Sequence, residues 1–138
     1  MSLANWKGAI ASFTQASARL EGSLALTRLG GARLATREYQ KAEEAYRAAA
    51  AKDPSDVSCR VGLGHALMGS NHFQGAALAY EEALRLVPDH TVARMNLGVC
   101  QARLGLREQA RRSFRRLLRK NPEHAEAIHN LEALESQK

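Results

Sequence analysis

The sequence predicts an all-α protein, a right-handed α-solenoid of about eight helices stacked in pairs. Three observations carry this expectation. The only three prolines, Pro54, Pro88 and Pro122, stand 34 residues apart. The pairs Leu29-Gly30, Leu63-Gly64 and Leu97-Gly98 recur at the same interval, as do Ala42, Ala76 and Ala110, then Tyr46, Tyr80 and Phe114, then Ala49, Ala83 and Leu117. Alanine, leucine, arginine and glutamate are plentiful while aromatics are 5%, a mixture whose side chains lose little freedom on a helical backbone. A unit of this length cannot bury its apolar face alone, so neighbouring units must stack to make a continuous core.

The elements follow in chain order. A helix is expected at about 4–20, where Trp6, Ala9, Phe13 and Ala16 copy the spacing of Tyr39, Ala42, Tyr46 and Ala49 at an offset of 33. Helices at about 23–35 and 38–52 flank a turn at Thr36-Arg37, and the pattern repeats as 56–69 and 72–86 around Ser70-Asn71. It repeats again as 90–103 and 106–120 around Leu104-Gly105, and a last helix is expected at 123–136. Each proline disfavours helical geometry at Asp53, Val87 or Asn121 and so ends a helix, and it can stand in the first turn of the next. Glycine inside a helix costs about 1 kcal/mol relative to alanine. Three such glycines in register therefore predict a neighbour packed close to the backbone. Small residues face small residues in this scheme, with Ala42, Ala76 and Ala110 opposite the glycines and the aromatic one turn on filling the space beside them.

The pattern resembles the tetratricopeptide repeat family, W-x2-L-G-x2-Y, then A-x3-F, then P, over nearly the whole chain. The Trp slot holds Leu26, Arg60 and Arg94, and the Tyr slot Arg33, Leu67 and Gln101. The organisation expected is a half repeat at 1–22, full repeats at 23–54, 55–88 and 89–122, and a capping helix at 123–138 in which Glu132 takes the glycine slot. The half repeat lacks its first helix. Apolar surface at Trp6, Ile10 and Phe13, and a longer parent array, are expected at that end.

The resemblance implies a module that binds a protein or peptide partner along its first helices. Mapped onto this chain, that concave surface takes Leu34 from the first full repeat and Val61, His65 and Met68 from the second. Val92, Met95, Asn96, Val99 and Arg103 follow from the third, and His129 and Asn130 from the last helix. Spacings of three and four residues put each set on one helical stripe, and the same stripes would serve equally as packing between helices. Asn96 and Asn130 occupy equivalent slots, where peptide-binding members hold a ligand's backbone with an asparagine ladder. Packing of the asparagine between helices is the other reading. Family members that bind chaperone C-terminal tails use Lys and Asn, then Asn, then Lys and Arg. The matching positions here are Thr27 and Gly31, then Gly62, then Val92 and Asn96, which argues against chaperone tails as partners.

The net charge of +6 is concentrated in one place. Between Arg103 and Lys120 stand eight cations and a single carboxylate, Glu108, so the rest of the chain is slightly acidic. Arg111, Arg115 and Arg119 form one helical stripe, and Arg112, Arg116 and Lys120 the next. This ridge is either a solvated outer face or a surface for anionic partners, nucleic acid included. Nucleic acid is the less favoured partner, because no aromatics interleave for base stacking. Self-association through the open N-terminal half repeat is a third reading, giving a homo-oligomer.

Other function classes find no support. No glycine-rich phosphate loop, HExxH, nucleophile elbow or clustered metal ligands occur, so no catalytic residue, cofactor or metal is expected. Cys59 and Cys100 form no CxxC pair and are expected as buried thiols, favouring a cytoplasmic over a secreted location. No signal-peptide pattern is visible, and no apolar run reaches the roughly 18 residues of a membrane span.

Overall fold

A computed structural model describes the backbone of residues 3–20 and 22–137, and side chains throughout these except at 15–20. Among the described residues the architecture is all-α helical repeat, with α1 (Leu3–Leu20), α2 (Ser23–Ala35), α3 (Tyr39–Lys52) and α4 (Val57–Gly69), then α5 (Phe73–Leu86), α6 (Thr91–Arg103), α7 (Arg107–Lys120) and α8 (Ala125–Ser136). These helices fall into two compact units, Met1–His72 and Phe73–Lys138, each with its own contacts.

Most helices after α2 begin one residue later than expected, and α8 two, because the residues counted as helical are caps. Asp56, His90 and His124 have extended backbone and accept from the N–H of Ser58, Ala93 and Ala127. The prolines also differ from expectation. They stand in turns before the cap, not in the helices' first turns, with Asp56, His90 and His124 N–H donating to the carbonyls of Asp53, Val87 and Asn121 at 3.1–3.2 Å. Proline is thus the second residue of each four-residue turn, where its fixed φ is favoured. The turns inside the repeats fall as expected, with Arg37, Asn71 and Gly105 in the left-handed region at φ 59°, 61° and 79°. The Asp56 cap is the easiest to test. Asp56→Ala should cost about 1 kcal/mol in urea unfolding. Its bonds with Ser58 hold the carboxyl below the usual range. That stabilisation should be complete above the ordinary carboxylate range and disappear as pH falls through the lowered native value.

In the Met1–His72 unit, packing centres on Tyr46. Its ring is 5% exposed and lies between α2 and α4, against Gly30 on one and Gly62 on the other. Gly30 therefore admits the aromatic expected to fill the space beside it, and Gly62, outside the expected register of glycines, admits the same ring from α4. Burial raises the Tyr46 phenol to about 12. Around it Ala42 and Ala49 are fully buried, and Cys59 packs with Ala49, Ala50 and Leu26. The N-terminal expectation is also corrected. Ile10 is buried, while Trp6 and Phe13 are half-buried, because α1 packs on α2. The Ala16 side chain lies outside the described residues.

The Phe73–Lys138 unit repeats the device. Phe114 lies against Gly98, where an added β-carbon would come within 2.6 Å of the ring. Met95, Ala110, Leu117, Ala127 and Leu134 complete this core. Arg107 fastens α7 to the last turn of α8 by donating from Nε and Nη2 to the Leu134 carbonyl at 3.1 and 2.6 Å. Cys100 and Tyr80 are fully buried, and burial raises the Cys100 thiol to about 11. Both cysteines are free and buried, so neither is positioned as a nucleophile.

Candidate functional site

The α6–α8 side of the Phe73–Lys138 unit carries an open cavity of about 430 Å³. Its apolar wall is Val99 and Ala102 from α6, Phe114 from α7 and Leu134 from α8. Its polar rim is Arg103, Glu126, Asn130 and Gln137. The helical period explains the grouping. Val99, Ala102 and Arg103 share one side of α6, and Glu126, Asn130 and Ala133 one side of α8. The α7 aromatic closes the floor because Gly98 lets it in.

Of the residues the sequence singled out, Val99, Arg103 and Asn130 line this cavity. The Arg103 guanidinium stands 5.4 Å from the centre of the Phe73 ring, a cation–π contact that steers it at the rim. Val92 is 46% exposed on the first turn of α6, and His129 is exposed on α8. Met95 is a correction. It is 4% exposed and packs with Phe114, Leu117, Ala127 and Leu134, so it belongs to the core. The two asparagines also part company. Asn130 faces the cavity, whereas Asn96 is half-buried and bonds the Tyr80 hydroxyl. In the Met1–His72 unit, Leu34, Val61, His65 and Met68 are all half-buried on α2 and α4. Ala102, Ala133, Leu134 and Gln137 were missed by sequence reasoning, although Ala102 lies three positions from Val99, and Ala133 and Leu134 three and four from Asn130; Gln137 lies seven from Asn130, two turns on.

The basic ridge divides. Arg111 is half-buried and bonds Glu108 at 2.6 Å, Arg115 pairs with Glu135 at 2.9 Å, and Lys120 stands 3.9 Å from Asp89. Arg112, Arg116 and Arg119 are exposed on α7. Among the described residues, no three or more of His, Cys, Asp and Glu gather as a metal site would require. No helix is long and apolar enough to cross a membrane.

Models described as tetratricopeptide repeat match residues 67–134 and residues 1–57. None of the curated proteins matches the sequence. Solved structures do match. MamA aligns with a TM-score of 0.90 at 19% identity, covering 95% of this chain and 77% of that one. YrrB, described as a TPR protein with an unusual peptide-binding site, aligns at 0.83 and 23%, covering 91% and 65%. The first TPR of Spaghetti (RPAP3), bound to an HSP90 peptide, aligns at 0.81 and 22%, covering 84% and 92%. At these identities the likeness is one of fold.

Proposed function

The chain belongs to the tetratricopeptide repeat family, and from that premise we propose that it binds a peptide or short helix of a partner protein in the α6–α8 cavity. The supporting observation is the cavity itself, an open and mixed surface that sets apolar side chains beside polar ones, chiefly on α6 and α8, the helices that the family uses for ligands. Its volume lies in the range of sites that hold a few side chains. Val99, Ala102 and Leu134 offer a hydrophobic anchor residue an apolar contact. The Asn130 amide can accept from and donate to a peptide group beside it, and Arg103 and Glu126 select charge at the rim. The repeats 23–54, 55–88 and 89–122, between the half repeat 1–22 and the cap 123–138, form the framework in this reading.

A chaperone tail suits these residues poorly, despite the likeness of fold to proteins that hold such peptides. Of the five matching positions, Gly62 is buried under Tyr46, and Thr27 spends its hydroxyl on the Ser23 carbonyl at 2.9 Å. Val92 and Gly31 offer no side-chain cation or amide, and Asn96 is engaged by Tyr80.

Selection of random displayed peptides on the intact protein tests the reading. The peptides recovered should share a hydrophobic anchor. Ala133→Trp, which fills the cavity from an exposed position, should weaken them at least tenfold. Asn130→Ala should cost about 0.5–1.5 kcal/mol. Equal binding to the Ala133→Trp variant would place the ligand elsewhere.

A further inference from the structure

The opposite side of the α6–α7 hairpin holds a second cavity, of about 550 Å³, and it is built of arginine. At about 100° per residue, Leu97 and Gln101 turn away from Val99 and Ala102, so the two cavities do not share a wall of α6. Five guanidinium side chains line it, from Arg94 on α6 and Arg112, Arg115, Arg116 and Arg119 on α7. Gln101, Gln109 and Ser113 lie among them, and no carboxylate does. Of the five, Arg115 alone has a carboxylate partner among the described residues, Glu135 at 2.9 Å. Among the described residues, Arg112, Arg116 and Arg119 are matched by no acidic side chain within ion-pair reach.

The wall is also ordered. Arg94 Nη2 donates to the Pro88 carbonyl at 2.9 Å, which holds that guanidinium in place beside Arg116. Burial, then the repulsion of Arg116, lowers the Arg94 pKa, a charge conflict that Asp89 only partly offsets. The buried pair Gln101 and Ser113 is fixed by a 2.7 Å bond in which the hydroxyl donates. Gln101 in turn donates to Gln109 at 3.5 Å. Polar groups held this way, with repelling cations around them, are arranged for a guest that supplies the missing negative charge.

Guanidinium groups only donate, and their planar forks match the paired oxygens of carboxylate or phosphate. Charge density decides between the two. A phosphate monoester brings about −1.5 to −2 at pH 7, against −1 for a carboxylate. A few phosphates can therefore neutralise five guanidiniums within this volume. Nucleic acid fits less well. No aromatic ring lines the cavity to stack a base, and a compact hollow on one hairpin is not a track for a strand. We propose that this cavity binds a compact ligand carrying two or three neighbouring phosphate groups.

Isothermal titration of the full chain with inorganic tripolyphosphate tests it. Saturable one-to-one binding is expected. The Arg112→Gln/Arg116→Gln variant should bind at least tenfold more weakly, and Arg112→Lys/Arg116→Lys, which keeps charge and loses the forks, should also weaken. A control with the same charge change in the other unit, Arg47→Gln/Lys52→Gln, should stay within twofold. Both arginines are exposed, and Arg116 is repelled by Arg94, so the glutamine variant should melt no lower than the parent, confirming that it is folded. A peptide with two adjacent phosphoserines that competes with tripolyphosphate would identify a protein-borne source. Its failure to compete would identify a free polyphosphate. The proposal falls if tripolyphosphate does not bind at low salt, or if the control variant loses as much as the arginine variant. It falls equally if RNA or an unphosphorylated glutamate-rich peptide binds as tightly at physiological salt.

Discussion

Phe114→Ala should lower the unfolding free energy of the Phe73–Lys138 unit by about 3–5 kcal/mol, measured by urea denaturation. The ring is 1% exposed and fills the space left by Gly98. Around it stand Ala110 and Ala127, both fully buried and too short to collapse into the void. Met95, Leu117 and Leu134 are held by their own helices. The cavity left behind therefore stays open, and the loss should fall at the upper end of the range. A domain's whole stability is about 5–15 kcal/mol, so this single change would bring the unit close to its folding threshold. Phe114 also floors the α6–α8 cavity, so peptide binding should fail with it. A loss below about 1 kcal/mol would show that the ring is not packed as described.

The same residue shows how far the sequence could be read. The interval of 34 placed Phe114, Gly98 and Ala110 in one register, and the structure joins them in one core. Periodicity reports which residues share a helix face, not which neighbour covers that face. Val92, Met95 and Val99 read as one stripe, yet core packing against residues of α7 and α8 buries Met95 while Val92 remains exposed. Asn96 and Asn130 hold equivalent slots, but only Asn96 meets a tyrosine hydroxyl. The arginine cavity was half legible. Arg112, Arg115, Arg116 and Arg119 were visible as a cationic ridge, whereas Arg94, on another helix and nine residues before Arg103, joins them only through the hairpin's packing. Helix starts were read early because Asp56, His90 and His124 are compatible with a helix by type, and their role as caps is set by the turn before them.

Gly62→Ala carries the second large effect, with a sign opposite to helix propensity. Alanine is the better helix former by about 1 kcal/mol, so an unobstructed glycine should gain from the change. Gly8 is such a position. Nothing lies within 4 Å of a β-carbon built there, and Gly8→Ala should stabilise the chain by up to about 1 kcal/mol. At Gly62 the added carbon would fall inside the Tyr46 ring's contact surface. The ring cannot swing clear, because its other side meets Gly30, where a β-carbon would also come within 2.8 Å. Relief requires that α2 and α4 separate, at a cost of about 1–3 kcal/mol beyond the propensity gain. The positions equivalent to Gly62 hold Arg28, Asn96 and Asn130, yet Asn96 meets Tyr80 as Gly62 meets Tyr46, so the aromatic contact recurs with the repeat while the missing side chain is particular to Gly62. Combining Gly62→Ala with Tyr46→Phe should leave most of the loss in place, since the clash is with ring carbons and not with the hydroxyl. Rescue by Tyr46→Leu, which removes the flat ring, is expected to be larger. Thermal melts of the five proteins would decide it, and a stabilised Gly62→Ala variant would exclude the packing of Tyr46 between the two glycines.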